Sequence, residues 1–310
     1  MGFSARYHAA SLAAVFFALA IGILIGSQIG GDILNSTRDS LEKSLTSDLD
    51  ESRSQNDQLK GEIASANDFG NSVYPALVGA QIQGERIGLV SFGDLSSDVT
   101  SDAEDAIGAS GGKLVAVGAV REPPSTEELA GDFEIGQFSR IGLPGPNGVG
   151  LDDYGKVVGR QMVVGGRVLD VTGNDLFSQS SGQFGNLDGV IVYRGEAQDL
   201  TNDEAEQTAD LESGILEGIH LTNAQVVGVE QSTAAASSVG FFIDNNTSSV
   251  DNIDQPAGKV SLIYALAGAS GNFGISDDSE RLLPELLEQA PAPNSSSEGK
   301  QSGKKNGKQG

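Results

Sequence analysis

The sequence predicts an α/β protein in which an N-terminal transmembrane helix and a coiled-coil stalk precede a mostly parallel, doubly wound α/β domain. Three observations lead to this prediction. An apolar run opens the chain, a helical pattern with heptad spacing follows it, and buried-strand sequences then alternate with amphipathic helices. A chain of 310 residues is long enough to build a substantial core after these two N-terminal segments.

The apolar run, residues 7–31, has no Asp, Glu, Lys or Arg and is long enough to cross a bilayer as a helix. It continues past Ala18-Leu19-Ala20, a small-x-small sequence at which a secretory signal could be cleaved. We therefore expect an uncleaved signal anchor, with cleavage at that sequence as the alternative. The short head, residues 1–6, favours a cytoplasmic N terminus, a single span and an extracytoplasmic position for the bulk of the chain.

Small residues recur at every fourth position of this segment and would lie along one ridge of the helix. They are Ala14, Ala18, Gly22, Gly26 and Gly30. Because small side chains let two helix backbones approach closely, the ridge predicts a homo-oligomer that packs through the span. The alternative is that the spacing is a chance result of the high frequency of Ala and Gly in membrane helices.

The predicted stalk, residues 33–69, contains no Pro and only Gly61 as a helix-weakening glycine. Its core positions follow alternating steps of four and three over about three heptads, which is typical of a coiled coil. The predicted seam consists of Leu45, Leu49, Asn56, Leu59 and Ile63, and the polar Ser52 and the small Ala66 take the remaining core positions. An Asn at one core position can set the register and the number of helices, so a second copy of the chain is the expected partner.

The α/β domain is predicted to span residues 75–289, with Pro75 ending the preceding helix. An apolar strand at 87–92, a helix at 98–109 and a second strand at 113–120 form a first βαβ unit. The Pro- and Gly-rich residues 122–147 are interpreted as an insertion.

A second cycle follows this insertion, after a helix that ends near Gly165. It consists of a strand at 190–193, a helix at 201–219 that starts at a Thr, and a strand at 224–230. We expect another helix to end at Leu266 or Ala267 and a short terminal helix at 279–288. The tail, residues 290–310, has the polar composition of a disordered segment.

Composition excludes several classes of function. The net charge of -24 argues against a nucleic-acid partner, because phosphate backbones are bound mainly by Lys and Arg. The absence of cysteine excludes disulfides, thiolate metal sites and cysteine nucleophiles. Gly-Ala-Ser-Gly-Gly at 108–112 matches a hydrolase pattern, but it follows a predicted helix and precedes a strand, the reverse of what a nucleophile elbow needs. We therefore expect no enzyme, no catalytic residue and no cofactor site.

The first thirty residues resemble the MctB-like family of actinobacterial envelope proteins. The similarity lies in His8-Ala9, in the segments 11–16 and 19–22, and in 24–27, and a GNFG loop and an LLP sequence near the C terminus extend it. The resemblance implies an envelope protein that keeps intracellular copper low, with a proposed pore-like role in the outer envelope.

Copper is thus the expected transported ion, although the sequence shows no ligand cluster. Copper prefers Cys, Met and His, and this chain offers only Met1, His8, Met162 and His220, which are scattered. Two hypotheses remain open. The protein is either a copper transport component or accessory, or a non-enzymatic, membrane-anchored scaffold that presents an α/β domain to an unidentified protein partner and affects copper indirectly.

Overall fold

The computed structural model describes residues 5–125, 129, 150–195 and 199–285. Most of the predicted insertion, residues 122–147, and the whole tail, residues 290–310, lie outside this described part. The chain divides into two compact units, Met1–Asp68 and Phe69–Gly310.

Helix α1 covers Ala5–Val78, so that every described residue of the first unit is helical. Between residues 40 and 63 its side chains are exposed, and pairs spaced by one turn stabilise it locally. Gln55 Nε2 donates to Glu51 Oε1 at 3.3 Å, and Gln58 Nε2 donates to Glu62 Oε1 at 2.9 Å. The prediction of one continuous helix through this region is therefore confirmed.

The prediction that Pro75 ends the helix is wrong, because α1 continues to Val78. Proline cannot donate to the carbonyl one turn earlier, but here it lies in the last turn, which tertiary contacts hold in place. Tyr74 and Val78 are buried, and the Tyr74 hydroxyl donates to the carbonyl of Ala106 at 2.8 Å. The helix ends at Gly79, which has a φ of 48° and donates to the carbonyl of Pro75.

Among the described residues of the second unit, a seven-stranded sheet forms the centre, in the order β3-β2-β1-β4-β5-β6-β7. All neighbouring strands are parallel except β2 and β3. The strands are β1 Arg86–Phe92, β2 Lys113–Val120, β3 Phe177–Gly182, β4 Gly189–Arg194, β5 Gln225–Val229, β6 Ser248–Val250 and β7 Asn272–Phe273. A mostly parallel sheet is thus confirmed, and the predicted strands correspond to β1, β2, β4 and β5.

Six further helices accompany the sheet in the described part of the chain. They are α2 Ser97–Ala109, α3 Leu151–Val164, α4 Arg167–Leu176, α5 Asn202–His220, α6 Val239–Asp244 and α7 Pro256–Leu266. The predicted boundaries at Gly165 and Thr201 agree with the structure: Gly165 caps the end of α3, and Thr201 forms a capping box with Glu204.

Two hydrophobic clusters form the core, and β1 contributes alternate side chains to both. Ile87 and Leu89 belong to the cluster that includes α2 and α7, whereas Val90 and Phe92 belong to the cluster that includes α3 and α5. Alternate residues of a strand point to opposite faces, which explains why a continuous apolar sequence is needed here.

Helices α3 and α5 pack backbone against backbone through glycines. A Cβ on Gly155 or Gly159 of α3 would collide with backbone atoms of α5, and a Cβ on Gly214 or Gly218 of α5 would collide with those of α3. At Gly159 the colliding atoms belong to Ile215. No larger side chain fits these four positions without separating the helices.

The predicted terminal helix at 279–288 is wrong for its described part, residues 279–285, which is not helical. Instead the segment pairs with the sheet edge, where Phe273 and Arg281 form an isolated bridge. Asp251 is buried beneath this segment and accepts hydrogen bonds from Ser279 Oγ at 2.8 Å and from the amide of Ile275. Leu282 and Leu283 lie in this non-helical segment. They do not form the apolar face of an amphipathic helix.

Candidate functional site

The apolar N-terminal helix is the first candidate site. Residues Tyr7–Ser27 have a mean hydropathy of 2.4 over an 18-residue window, and in the described structure this is the one helix long and apolar enough to cross a membrane. Its large apolar side chains are all more than half exposed, with Phe17 at 72% and Ile25 at 51%. In water such a surface is unfavourable, so this segment needs an apolar environment.

The predicted ridge lies on this helix. Ala14, Ala18, Gly22 and Gly26 follow one another at every fourth residue of α1, and nothing lies within 4 Å of a Cβ built on Gly22 or Gly26. Gly30 belongs to the same helix, but its surroundings lie outside the described side chains. Space is available for a second helix at the described glycines, and packing through the ridge stays a prediction.

The predicted seam is an exposed stripe farther along α1. Leu45, Leu49, Leu59 and Ile63 are 57–61% exposed, and Asn56 is exposed as well. Leucine side chains at heptad spacing on an isolated helix leave apolar surface in water that a parallel partner helix would cover. The coiled coil itself stays a prediction.

The structure shows where two of the few potential copper ligands, Met162 and His220, are located. Met162 is fully buried in the core, and His220 Nε2 lies 3.0 Å from Thr247 Oγ1 at the end of α5. Burial lowers the pKa of His220 and so favours its neutral form. The described residues include no group of three or more His, Asp or Glu side chains that could hold a metal ion.

Ser110, the serine of the hydrolase-like pattern, is buried between α2 and β2. Its hydroxyl donates to the carbonyl of Ile107 at 2.8 Å and thereby caps the helix. This is the helix-to-strand order expected from the sequence, and it gives Ser110 a structural role.

A cluster of charged side chains at the carboxyl edge of the sheet was not predicted from the sequence. Arg194 ends β4, Glu212 lies on α5 and Glu122 follows β2. Arg194 Nε donates to Glu212 Oε2 at 3.1 Å, and the guanidinium carbon lies 4.6 Å from the centroid of the Phe241 ring. The available sequence signal was a glutamate on the apolar face of α5, next to Leu211.

Glu212 is a buried carboxyl group, with 1% of its surface exposed. Its pKa is raised to about 9, first of all by burial and then by the nearby Glu122, while Arg194 acts in the opposite direction. This environment favours the protonated, neutral form of Glu212, and in that form Glu212 does not cancel the charge of Arg194.

A cavity of about 320 Å³ opens beside Arg194, at the carboxyl ends of β4 and β5. Tyr193, Arg194 and Glu230 line it, together with residues of the loop 231–238. Glu230 is 5% exposed and accepts hydrogen bonds from Ser237 Oγ at 3.0 Å and from the Ser238 amide. The carboxyl edge of parallel strands is where α/β sheets commonly bind ligands.

Comparison with known proteins relates the chain to copper transport proteins. A family model described as "Copper transport outer membrane protein, MctB" matches residues 3–129 and 167–284. Proteins named "Copper transporter MctB" from Mycobacterium bovis and Mycobacterium tuberculosis are each 32% identical to the chain over 113 residues. This alignment spans 36% of the chain and 36% of the length of each of these relatives.

Proposed function

Because the chain belongs to the MctB family of copper transport outer membrane proteins, we propose that it acts in copper homeostasis of the cell envelope, as a transport component or as an accessory of transport. The observation that carries this proposal is the extent of the family match, which includes the apolar helix, the stalk and most of the α/β domain. The proposed role is non-enzymatic.

The apolar helix at Tyr7–Ser27, which we propose as a single membrane span, supports this role. We place the short N-terminal head in the cytoplasm and the α/β domain on the extracytoplasmic side. The two hydrophobic clusters, which receive alternate residues of β1, support a doubly wound arrangement for that domain.

Self-association through α1 is the second part of the proposal. The glycine ridge leaves room for a close helix contact inside the membrane, and the leucine stripe offers apolar surface outside it. Both features lie on the same helix, α1. Contact through both at once needs a second helix of the same sequence, aligned in the same register. A second copy of this chain in parallel orientation meets that requirement.

Copper enters this proposal as cargo. One apolar helix without charged residues encloses no aqueous path, so a transport route requires several copies or a partner protein. The chemistry of the described side chains fits weak or transient contact with the ion better than a resident copper centre.

The exposed stripe of the stalk and the lack of a ligand cluster among the described residues favour a second candidate. In that account the protein is a membrane-anchored scaffold, and the α/β domain recruits a partner without any direct role in copper movement.

Deleting the gene and measuring total cellular metals by mass spectrometry separates the two functions. The copper proposal predicts a several-fold rise in copper, restored by a complementing copy, with zinc, iron and manganese unchanged as internal controls. Unchanged copper together with altered envelope integrity would favour the scaffold.

A further inference from the structure

We propose that the cavity beside Arg194 binds a small oxyanion, a molecule carrying a carboxylate or phosphate group. The cavity occupies about 320 Å³, within the size range of small-molecule sites, and lies at the carboxyl ends of two adjacent parallel strands. Neither copper transport nor membrane anchoring accounts for it.

Arg194 is held in position before any ligand arrives. Its Nε donates to Glu212, and the ring of Phe241 supports one face of the guanidinium. The side chain is nevertheless 34% exposed and contributes to the cavity wall. A planar guanidinium fixed in this way is suited to bidentate binding of a carboxylate or phosphate, at little further cost in side-chain entropy.

Arg194 supplies the positive charge that attracts an anion, and the neighbouring acidic groups differ in how far they oppose it. Glu230 also lines the cavity, but its buried carboxylate is engaged by Ser237 and by the amide of Ser238. Glu212 is buried next to Glu122, an environment that favours a proton on Glu212. Among the described residues that line the cavity, Arg194 is the one basic side chain.

The loop that forms the opposite wall is anchored at both ends. Ser232 contributes its amide and its hydroxyl to the carboxylate of Asp254, at 2.7 Å and 2.6 Å, and Glu230 holds Ser237 and Ser238. Between these anchors the exposed Thr233 provides a hydroxyl group. The next three residues, Ala234, Ala235 and Ala236, line the cavity with small side chains. The cavity is therefore preformed, which favours binding of a small ligand.

The test is a thermal-unfolding titration of the full chain in detergent with sodium phosphate and, separately, sodium malonate, against sodium chloride at equal ionic strength. At a tenfold excess over Kd, one-site binding should raise the melting temperature by about 3–6 °C. A shift with phosphate alone or with malonate alone assigns the anion class. No shift with either anion overturns the proposal.

Two variants and one control locate the site. Arg194→Gln removes the cation, and Ala235→Trp fills the cavity from an exposed loop position without altering the hydrogen bond between Arg194 and Glu212. Both should abolish the shift. Arg160→Gln removes a charge from an exposed position on α3 and should keep it. A shift that persists in both cavity variants overturns the proposal, and Ala235→Trp decides the outcome if Arg194→Gln fails to fold.

Discussion

Glu212 is an acidic residue in an environment that does not suit its charged form. A carboxyl group with 1% exposure loses the hydration that stabilises its charged form, and one ion pair with a half-buried arginine does not restore it. The native state therefore favours the protonated carboxyl, whereas the unfolded chain ionises it near its usual pKa.

This difference predicts a dependence of stability on pH. Between about pH 4.5 and about 9, native Glu212 keeps a proton that the unfolded chain has lost, so the free energy of unfolding falls as pH rises through this window. Glu212→Gln removes this titration and keeps an acceptor for Arg194. The melting temperature of the wild type should therefore fall below that of Glu212→Gln as pH rises from 5 to 9.

The control for this measurement is Glu206→Gln, an exposed position on the same helix. It should follow the wild-type pH profile. Glu122 and Arg194 are the charged neighbours that also act on Glu212, and neither is altered in either variant. Parallel profiles for the wild type and Glu212→Gln would show that Glu212 ionises normally in the folded protein.

At this scale the sequence revealed little of the carboxyl-edge site. Glu212 and Arg194 are 18 positions apart, and their contact depends on how α5 packs on the end of β4. Glu212 falls on the apolar face of α5, but its position in the sequence does not show which strand end it meets. By contrast, the scarcity of copper ligands could be seen directly, because it depends on composition alone.

Among the elements, the α3 and α5 pair makes the clearest prediction for stability. Gly159→Ala places a methyl group against the backbone of Ile215, which cannot move without shifting α5. We expect a loss of about 1–3 kcal/mol in the free energy of unfolding, measured by urea denaturation. Gly108→Ala is the matched control, since a Cβ at that position on α2 meets nothing within 4 Å.

Gly108→Ala should be neutral or stabilising by up to about 1 kcal/mol, because it reduces the entropy of the unfolded chain. If Gly159→Ala were as stable as Gly108→Ala, the close approach of α3 and α5 would be incorrect.

The ridge on α1 predicts self-association in the membrane. Gly22→Ile with Gly26→Ile adds bulk where two backbones would meet, and should reduce the signal of a bacterial two-hybrid assay several-fold. Ala13→Ile with Ala20→Ile adds similar bulk to the opposite side of the same helix and should leave the signal intact. Equal signals from the two double variants would remove the ridge from the proposal.

The elements that could be predicted are those with a strong local pattern. The apolar strands β1, β2, β4 and β5 and the capped helix α5 are evident from continuous hydrophobicity and from the Thr201 cap. The polar strand β3, the three-residue strand β6 and the two-residue strand β7 were not predicted, because their pairing depends on distant parts of the chain. The end of α1 was placed at Pro75 for the same reason, because contacts with distant parts of the chain maintain the last turn of this helix.

For the whole molecule, composition and the order of segments indicated the general plan of the protein. The apolar N-terminal run and the resemblance of the first thirty residues pointed to an envelope protein, and the family match supports this assignment. The proposed role in copper homeostasis depends on the assembly that we propose through α1. The decisive measurement must therefore link α1 to copper within the cell.

That measurement is the total copper content of a deletion strain complemented with the wild type, with Gly22→Ile and Gly26→Ile together, or with Ala13→Ile and Ala20→Ile together. The account predicts that copper returns to normal with the wild type and with the Ala13 and Ala20 variant, but stays several-fold higher with the Gly22 and Gly26 variant, at equal protein levels. Normal copper with every copy would contradict a copper function that depends on assembly through α1. Copper that is already normal in the deletion strain would contradict the copper function itself.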